Sequence, residues 1–208
     1  MTLVQDILEA AARFFADPGI PSLEAARSLL ERLEPAAVIE RAEALRYIPG
    51  CRERSERNPM LTKLCLAYDS TCDTELRLNF YHCDAYSHDS WHDHRWDFTS
   101  RVLWGSVIHL ISSNDQGLGP DCMGTTHAMG DVFYVGRHLF HSFIPTPGSV
   151  TLMARGPYRK NLWTRTEVGR TEIRTSDELV KQTVVLTDSE LKQVVQALRN
   201  RLQLPRRA

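Results

Sequence analysis

Cysteine, on which small secreted proteins and many zinc-binding domains depend, is scarce in this chain. Only five of its 208 residues are cysteines, the number is odd, and no two of them form a Cys-x-x-Cys pair. A complete set of disulfides and a zinc site built from cysteine pairs are therefore not expected. The same scarcity predicts a reducing, cytoplasmic location.

An excess of charge of either sign is also missing. The chain has 25 Lys and Arg against 26 Asp and Glu, which gives a formal net charge of −1. Nucleic acids and anionic membrane surfaces attract strongly basic proteins, so neither is an expected partner. At the N-terminus, Asp6 and Glu9 interrupt the apolar residues, which predicts neither a signal peptide nor a membrane span.

Apolar residues at helical spacing predict helices over the first part of the chain. One pattern occupies residues 4–15 and ends at the Asp-Pro-Gly sequence of residues 17–19. A second helix is expected over residues 22–33, and a third over residues 35–45, where a proline begins it. We expect residues 1–57 to form a helical extension that packs on the rest of the chain.

Residues 58–186 consist instead of short, partly alternating apolar segments separated by turn sequences. Many short strands with regular turns favour a sandwich or barrel over alternating β-α-β units. Residues 187–208 are expected to form a last helix, because Thr187-Asp188-Ser189-Glu190 is a capping box. The predicted strands cover residues 64–68, 76–81, 102–111, 131–135, 141–144 and 150–154.

The segment Trp91-His92-Asp93-His94 carries the clearest chemical signal. Two histidines separated by one residue on an extended segment point to the same side. A third, His141, lies on a later predicted strand. Three imidazoles suit Fe, Zn, Cu or Ni and leave positions open for a substrate. A single histidine here is better explained by the surface or the core, whereas the spaced set of three favours a metal site.

These residues resemble the two sequence motifs of the cupin superfamily over residues 76–156. Five residues match the histidines and glycines of these motifs: His92, His94 and Gly105 in the first, and Gly130 and His141 in the second. The resemblance implies a mainly β fold, a cupin-type double-stranded β-helix or jelly-roll barrel. The helices of residues 1–57 and 187–208 would flank a barrel of residues 58–186.

The carboxylate ligand of the first cupin motif has no counterpart, because its position falls on Phe98. A three-histidine cupin of this kind is similar to the thiol dioxygenase branch, the relatives of cysteine dioxygenase. Segments 102–107 and 149–154 are similar to that branch too, although the tyrosine of its later strand has no equivalent. The resemblance implies a non-haem Fe(II) dioxygenase with His92, His94 and His141 as ligands, acting on a small organic substrate, such as a thiol derived from cysteine.

The residues leave other functions open. Zn or Ni in the same site would act as a Lewis acid, as in a lyase, isomerase or hydrolase without redox chemistry. A small-molecule binding protein without turnover is a further alternative, because a fold does not define a function. The expected partners are a small-molecule substrate and, for an oxygenase, O₂. The sequence does not distinguish a monomer from a homodimer.

Further residues near the motifs are candidates for catalysis or binding. Arg155 is a candidate to bind a substrate carboxylate through two parallel hydrogen bonds, with a surface ion pair as an equal alternative. For Arg101 the surface ion pair is the better explanation. Tyr134 precedes the third histidine and is a candidate donor to bound oxygen. Asp97 is a further candidate, either to orient a ligand imidazole or, after a bulge, to fill the position of the missing carboxylate. His109 is a candidate for the barrel interior.

Overall fold

Helices precede and follow a large β-structure in the computed structural model, which describes residues 20–82, 91–113, 122–159, 163–167, 170–174 and 183–203. The helices are α1 (Ile20–Arg32), α2 (Pro35–Glu43) and α3 (Asp188–Arg201), with a 3₁₀ helix at Leu45–Tyr47. The strands are β1 (Glu56–Arg57), β2 (Leu61–Asp69), β3 (Thr74–Tyr81), β4 (Trp91–His92), β5 (Phe98–Trp104), β6 (Ser106–Ser112), β7 (Met123–Ala128), β8 (Val132–Val135), β9 (Phe140–Pro145), β10 (Val150–Arg155), β11 (Trp163–Glu167), β12 (Arg170–Arg174) and β13 (Val184–Val185).

The helix ends follow from local chemistry. Pro35 starts α2, where its fixed φ suits the first turn and its missing N–H costs no hydrogen bond. Thr187 and Glu190 form the predicted capping box at the start of α3. The helices expected over residues 22–33 and 35–45 are confirmed within a few residues. The helix expected over residues 4–15 lies outside the described residues.

The prediction of one long strand over residues 102–111 is wrong. The chain breaks at Gly105, which adopts a φ of +77° between β5 and β6. A residue with a side chain rarely adopts this conformation, and glycine does so readily. The break transfers the chain from one sheet to the other, because β5 and β6 belong to different sheets.

Strands β3 to β10 have the connectivity of a jelly roll. They pair as a nested hairpin, β6 with β7, β5 with β8, β4 with β9 and β3 with β10. The hairpin is then rolled up, because β10 also pairs with β5 and β9 with β6. All these pairs are antiparallel. The result is two facing sheets, which confirms the predicted mainly β, jelly-roll fold.

Additional strands extend both sheets. The first sheet has seven strands in the order β13-β1-β2-β3-β10-β5-β8, and the second has six in the order β12-β11-β4-β9-β6-β7. Strand β1, before residue 58, pairs with both β2 and β13. The division of the chain at residues 57 and 186 stays a prediction.

Two apolar clusters lie on opposite faces of the first sheet. The larger one joins this sheet to the three helices and contains Leu78 of β3 and Leu152 of β10. The smaller one lies between the sheets and includes Phe98, Phe133 and Phe143. Side chains alternate along a strand, so the neighbours of the buried leucines face the second sheet. This interior is where the candidate site lies.

Candidate metal centre

Strand pairing brings the first and third predicted ligands together. His92 on β4 is the direct partner of His141 on β9 in the antiparallel register. Side chains directly opposite each other in such a pair project to the same face and have Cβ atoms about 5 Å apart. His94 follows two residues after His92, just beyond the end of β4. The pairing and the His-x-His spacing therefore direct all three imidazoles to one place.

The three imidazoles form a compact group. One ring nitrogen of each of His92, His94 and His141 lies within 4.8 Å of the other two. The Nε2 atoms of His94 and His141 are 2.8 Å apart. Two nitrogens bound about 2.1 Å from one ion at right angles would be about 3.0 Å apart, so the group fits a metal. Among the described residues, no carboxylate or thiol joins it.

The protonation of His141 also suits a ligand. His141 is only 2% exposed, whereas His92 and His94 are half-buried. Burial lowers the pKa of His141 well below its ordinary value, and the neighbouring His92, His94 and His109 lower it further. The imidazole is therefore neutral at physiological pH, the form that binds metals.

His109 makes a contact with this group that the sequence reasoning did not predict. Its Nε2 atom lies 2.8 Å from Nδ1 of His141, and its side chain is buried. Burial, with smaller effects from His127 and His92, lowers the pKa of His109 to about 3. The available signal was strand alternation after Gly105, which places His109 on the interior face but names no partner.

Aromatic side chains surround the three histidines. The ring of Phe98 packs edge-on against His94, with centroids 5.0 Å apart, and Trp96 lies 5.3 Å from the same imidazole. Phe143 lies 6.4 Å from His141. These rings give the group an apolar side, as is common in small-molecule sites.

Asp97 and Tyr134 contact each other. The Tyr134 hydroxyl donates to Oδ1 of Asp97 over 3.2 Å, and the Arg137 backbone N–H donates to the same oxygen over 2.7 Å. The Arg137 guanidinium also pairs with this carboxylate. Burial and the charge of Asp97 raise the pKa of Tyr134 to about 12. Asp97 is outside the histidine group, and the catalytic roles of both residues stay predictions.

Arg155 is engaged by acidic residues and by the ring of Trp96. Its side chain is fully buried, and Nη2 lies 3.1 Å from Asp73 and 3.3 Å from Glu75. The guanidinium is 5.4 Å from the Trp96 ring centre, and the same indole contacts the His94 imidazole. Its predicted role in binding a substrate carboxylate stays a prediction.

Arg101 has a different role from the one suggested by its sequence position. Its Nη1 atom donates to the carbonyl oxygens of Leu30, Glu31 and Leu33 at the end of α1. These are carbonyls that a helix leaves without intrahelical partners. The Arg101 side chain therefore faces the helices, and substrate binding by it stays the less favoured prediction.

Comparisons with known proteins add structural likenesses at low identity. No family model matches the sequence, and no curated protein matches it either. The fold is similar to KdgF from a Halomonas species, with 16% identity, 49% of this chain and 83% of that one covered, and a TM-score of 0.37. An RmlC-like cupin from Shewanella frigidimarina has 19% identity, coverages of 48% and 78%, and a TM-score of 0.37.

A third similar structure is HEPD from Streptomyces albus with 2-hydroxyethylphosphonate and Fe(II) bound, at 14% identity and a TM-score of 0.40. The alignment covers 66% of this chain and 27% of HEPD. Structural similarities at such low identity do not support an argument about function.

In the described residues no helix is long and apolar enough to cross a membrane. The assignment of the jelly roll rests on the strand pairing of the chain itself.

Proposed function

We propose that the chain is a metal-dependent enzyme of the cupin type that holds Fe(II) through His92, His94 and His141. Its proposed reaction is the dioxygenation of a small organic substrate, with a thiol such as a cysteine derivative as the first candidate. The observation that carries the proposal is the convergence of three imidazoles, within 4.8 Å, at the interior of the barrel.

The ligand set suits a redox role. Neutral imidazoles leave a divalent ion with its full positive charge, and three protein ligands leave coordination positions free. When bound, iron(II) supplies the electron-transfer chemistry that reactions with O₂ require. The protein contributes the position of the ligands, which the β4–β9 register holds, and a His141 imidazole whose pKa burial lowers well below its ordinary value.

The surrounding residues support binding of a small substrate. Phe98 and Trp96 pack against His94 and make that side of the group apolar. The buried guanidinium of Arg155 contacts Trp96, and Asp97 lies between Trp96 and Phe98 in the chain, so both are candidates to orient polar groups of the substrate. Tyr134, which hydrogen-bonds Asp97, packs against the cluster on the helix side of the first sheet and is a less direct candidate. We propose a small-molecule substrate, a cytoplasmic location, and either a monomer or a homodimer.

Metal content tests the ligand set. We would purify the protein without a His tag and measure its metals by elemental analysis, beside the variant His141→Ala. His82→Ala is the matched control, because His82 hydrogen-bonds Thr62 and is outside the group. We expect near-stoichiometric iron in the wild type and in the control, and none in His141→Ala. Zinc or nickel instead would favour a Lewis-acid lyase, isomerase or hydrolase.

Oxygen uptake tests the reaction. Iron-loaded protein would be mixed with a panel of small thiols in an oxygen electrode, with His141→Ala as the inactive reference. Thiol-dependent consumption of O₂ is the expected result. If no thiol stimulates uptake by the iron-loaded protein, the thiol assignment is wrong. If no metal is bound at all and folding is unchanged in His141→Ala, a binding protein without turnover becomes the better description.

A further inference from the structure

His109 and His141 form a buried pair behind the three-histidine group. The distance between His109 Nε2 and His141 Nδ1 is 2.8 Å, and the two side chains are 1% and 2% exposed. A hydrogen bond of this length needs one protonated and one unprotonated nitrogen. In this pair, the donor can be identified from the interaction that the other ring nitrogen of His141, Nε2, makes.

The opposite nitrogen of His141 faces the proposed metal. Its Nε2 atom is the one that lies 2.8 Å from Nε2 of His94. A metal bound by Nε2 uses the lone pair of that nitrogen, so the proton of the neutral ring must be on Nδ1. The Nδ1–H group then donates to His109, which must present Nε2 without a proton. Metal binding by His141 therefore selects one tautomer in each ring.

Strand pairing and aromatic contacts fix the position of His109, the acceptor of this hydrogen bond. His109 lies on β6, which pairs with β9 so that His109 is opposite Phe143 and Ile111 is opposite His141. The His109 ring packs against Phe133, with centroids 5.2 Å apart, and against Phe143 at 6.1 Å. These contacts hold the imidazole where its Nε2 meets His141.

We propose that His109 is a positioning residue that holds the His141 ring in the tautomer and orientation needed to bind the metal. The inference rests on the proposed function, because it assumes that the three histidines bind a metal. A ligand histidine usually donates its second N–H to a carboxylate, a carbonyl or water. In this chain a second buried imidazole takes that place.

Zinc affinity is the first test, since zinc has no redox chemistry and reports binding alone. Zinc dissociation constants would be measured by competition with a chromogenic chelator for the wild type, His109→Gln and His109→Leu. We expect His109→Leu to weaken binding by about 10- to 100-fold. His109→Gln offers an amide oxygen near the position of Nε2 and should recover most of the affinity. His82→Leu, which changes a histidine outside the group, should leave the affinity unchanged.

The tautomers give a second test that needs no stable variant. Long-range ¹H–¹⁵N correlation spectra of the zinc-loaded wild type should show the protons of His141 and His109 both on Nδ1. A proton on Nε2 of His109 would overturn the proposal, and so would equal zinc affinities for the wild type and His109→Leu. A wild type that binds zinc in those experiments still supports the metal site itself. A wild type that binds neither zinc nor iron would overturn both proposals.

Discussion

Gly105 is the residue at which the chain passes from the first sheet to the second, between β5 and β6. Its φ is +77°, and a Cβ atom at this position would clash with Ser149 Oγ and lie 3.1 Å from Thr146 Oγ1. Both hydroxyls also bond the backbone of Ser106. The position therefore excludes a side chain both by conformation and by space.

We expect Gly105→Ala to lower the free energy of unfolding by about 2–5 kcal/mol. The left-handed conformation costs an alanine about 1–2 kcal/mol, and the clash adds about 1–3 kcal/mol. Urea unfolding of the purified variant measures the difference.

Gly50 offers a matched control, because it has a similar φ of +74° and a Cβ atom added there would meet nothing within 4 Å. Gly50→Ala should cost only about 1–2 kcal/mol, from conformation alone. Equal losses in the two variants would show that crowding at Gly105 contributes nothing.

At the scale of elements, spacing and capping in the sequence predicted the described helices correctly. The edge strand β7 has no apolar pattern in the sequence by which it could be predicted. Strand β7 forms one edge of the second sheet and is exposed along nearly its whole length. It therefore has no buried face and no apolar alternation for a pattern to detect. Helix α3 differs because it buries Leu191, Val195 and Leu198 in the main core and begins at a capping box.

We expect the cap of α3 to contribute measurably to stability. The Thr187 side chain accepts a hydrogen bond from the Glu190 backbone N–H, and the Glu190 carboxylate accepts one from the Thr187 backbone N–H over 2.8 Å. Thr187→Ala should lower the free energy of unfolding by about 1 kcal/mol. Thr187→Ser keeps the hydroxyl and should stay close to the wild type. If urea unfolding gave the same free energy for Thr187→Ser as for Thr187→Ala, the stabilising role of the hydroxyl would be contradicted.

At the scale of the whole molecule, a charged cluster sits on the interior side of the first sheet. Glu75 is 2% exposed and contacts Arg77 and Arg155. Burial alone would raise the pKa of Glu75, but the charges of Arg77, Arg155 and Arg54 outweigh it and lower the pKa from 4.5 to about 2. The folded state therefore binds the Glu75 proton less readily than the unfolded chain does.

This difference predicts a loss of stability in acid. The contribution of Glu75 is complete above its unfolded pKa of 4.5 and disappears as the pH falls toward 2; the full effect is about 3 kcal/mol. Unfolding of metal-free wild type and Glu75→Gln would be compared at pH 6 and pH 3, so that metal release does not contribute. The stability advantage of the wild type should shrink at pH 3. An advantage of the same size at both pH values would contradict the prediction.

Metal binding should also stabilise the folded chain as a whole, because the three ligands meet only in the native state. A metal present at 100 times its dissociation constant adds about 2.7 kcal/mol to the free energy of unfolding. We expect zinc to raise the Tm of the wild type in a thermal scan and to leave that of His141→Ala unchanged. An equal rise in both would place the binding of zinc elsewhere.

The sequence by itself determined what depends on near neighbours. The helices, most of the strands and the common side of His92 and His94 follow from spacing, capping and alternation, which act over a few residues. Only the tertiary structure decided which strands are partners. The rolled-up hairpin places His141 against His94, 47 positions away, and His109 behind His141, 32 positions away. Such contacts arise from register and closure, and no short-range pattern encodes them.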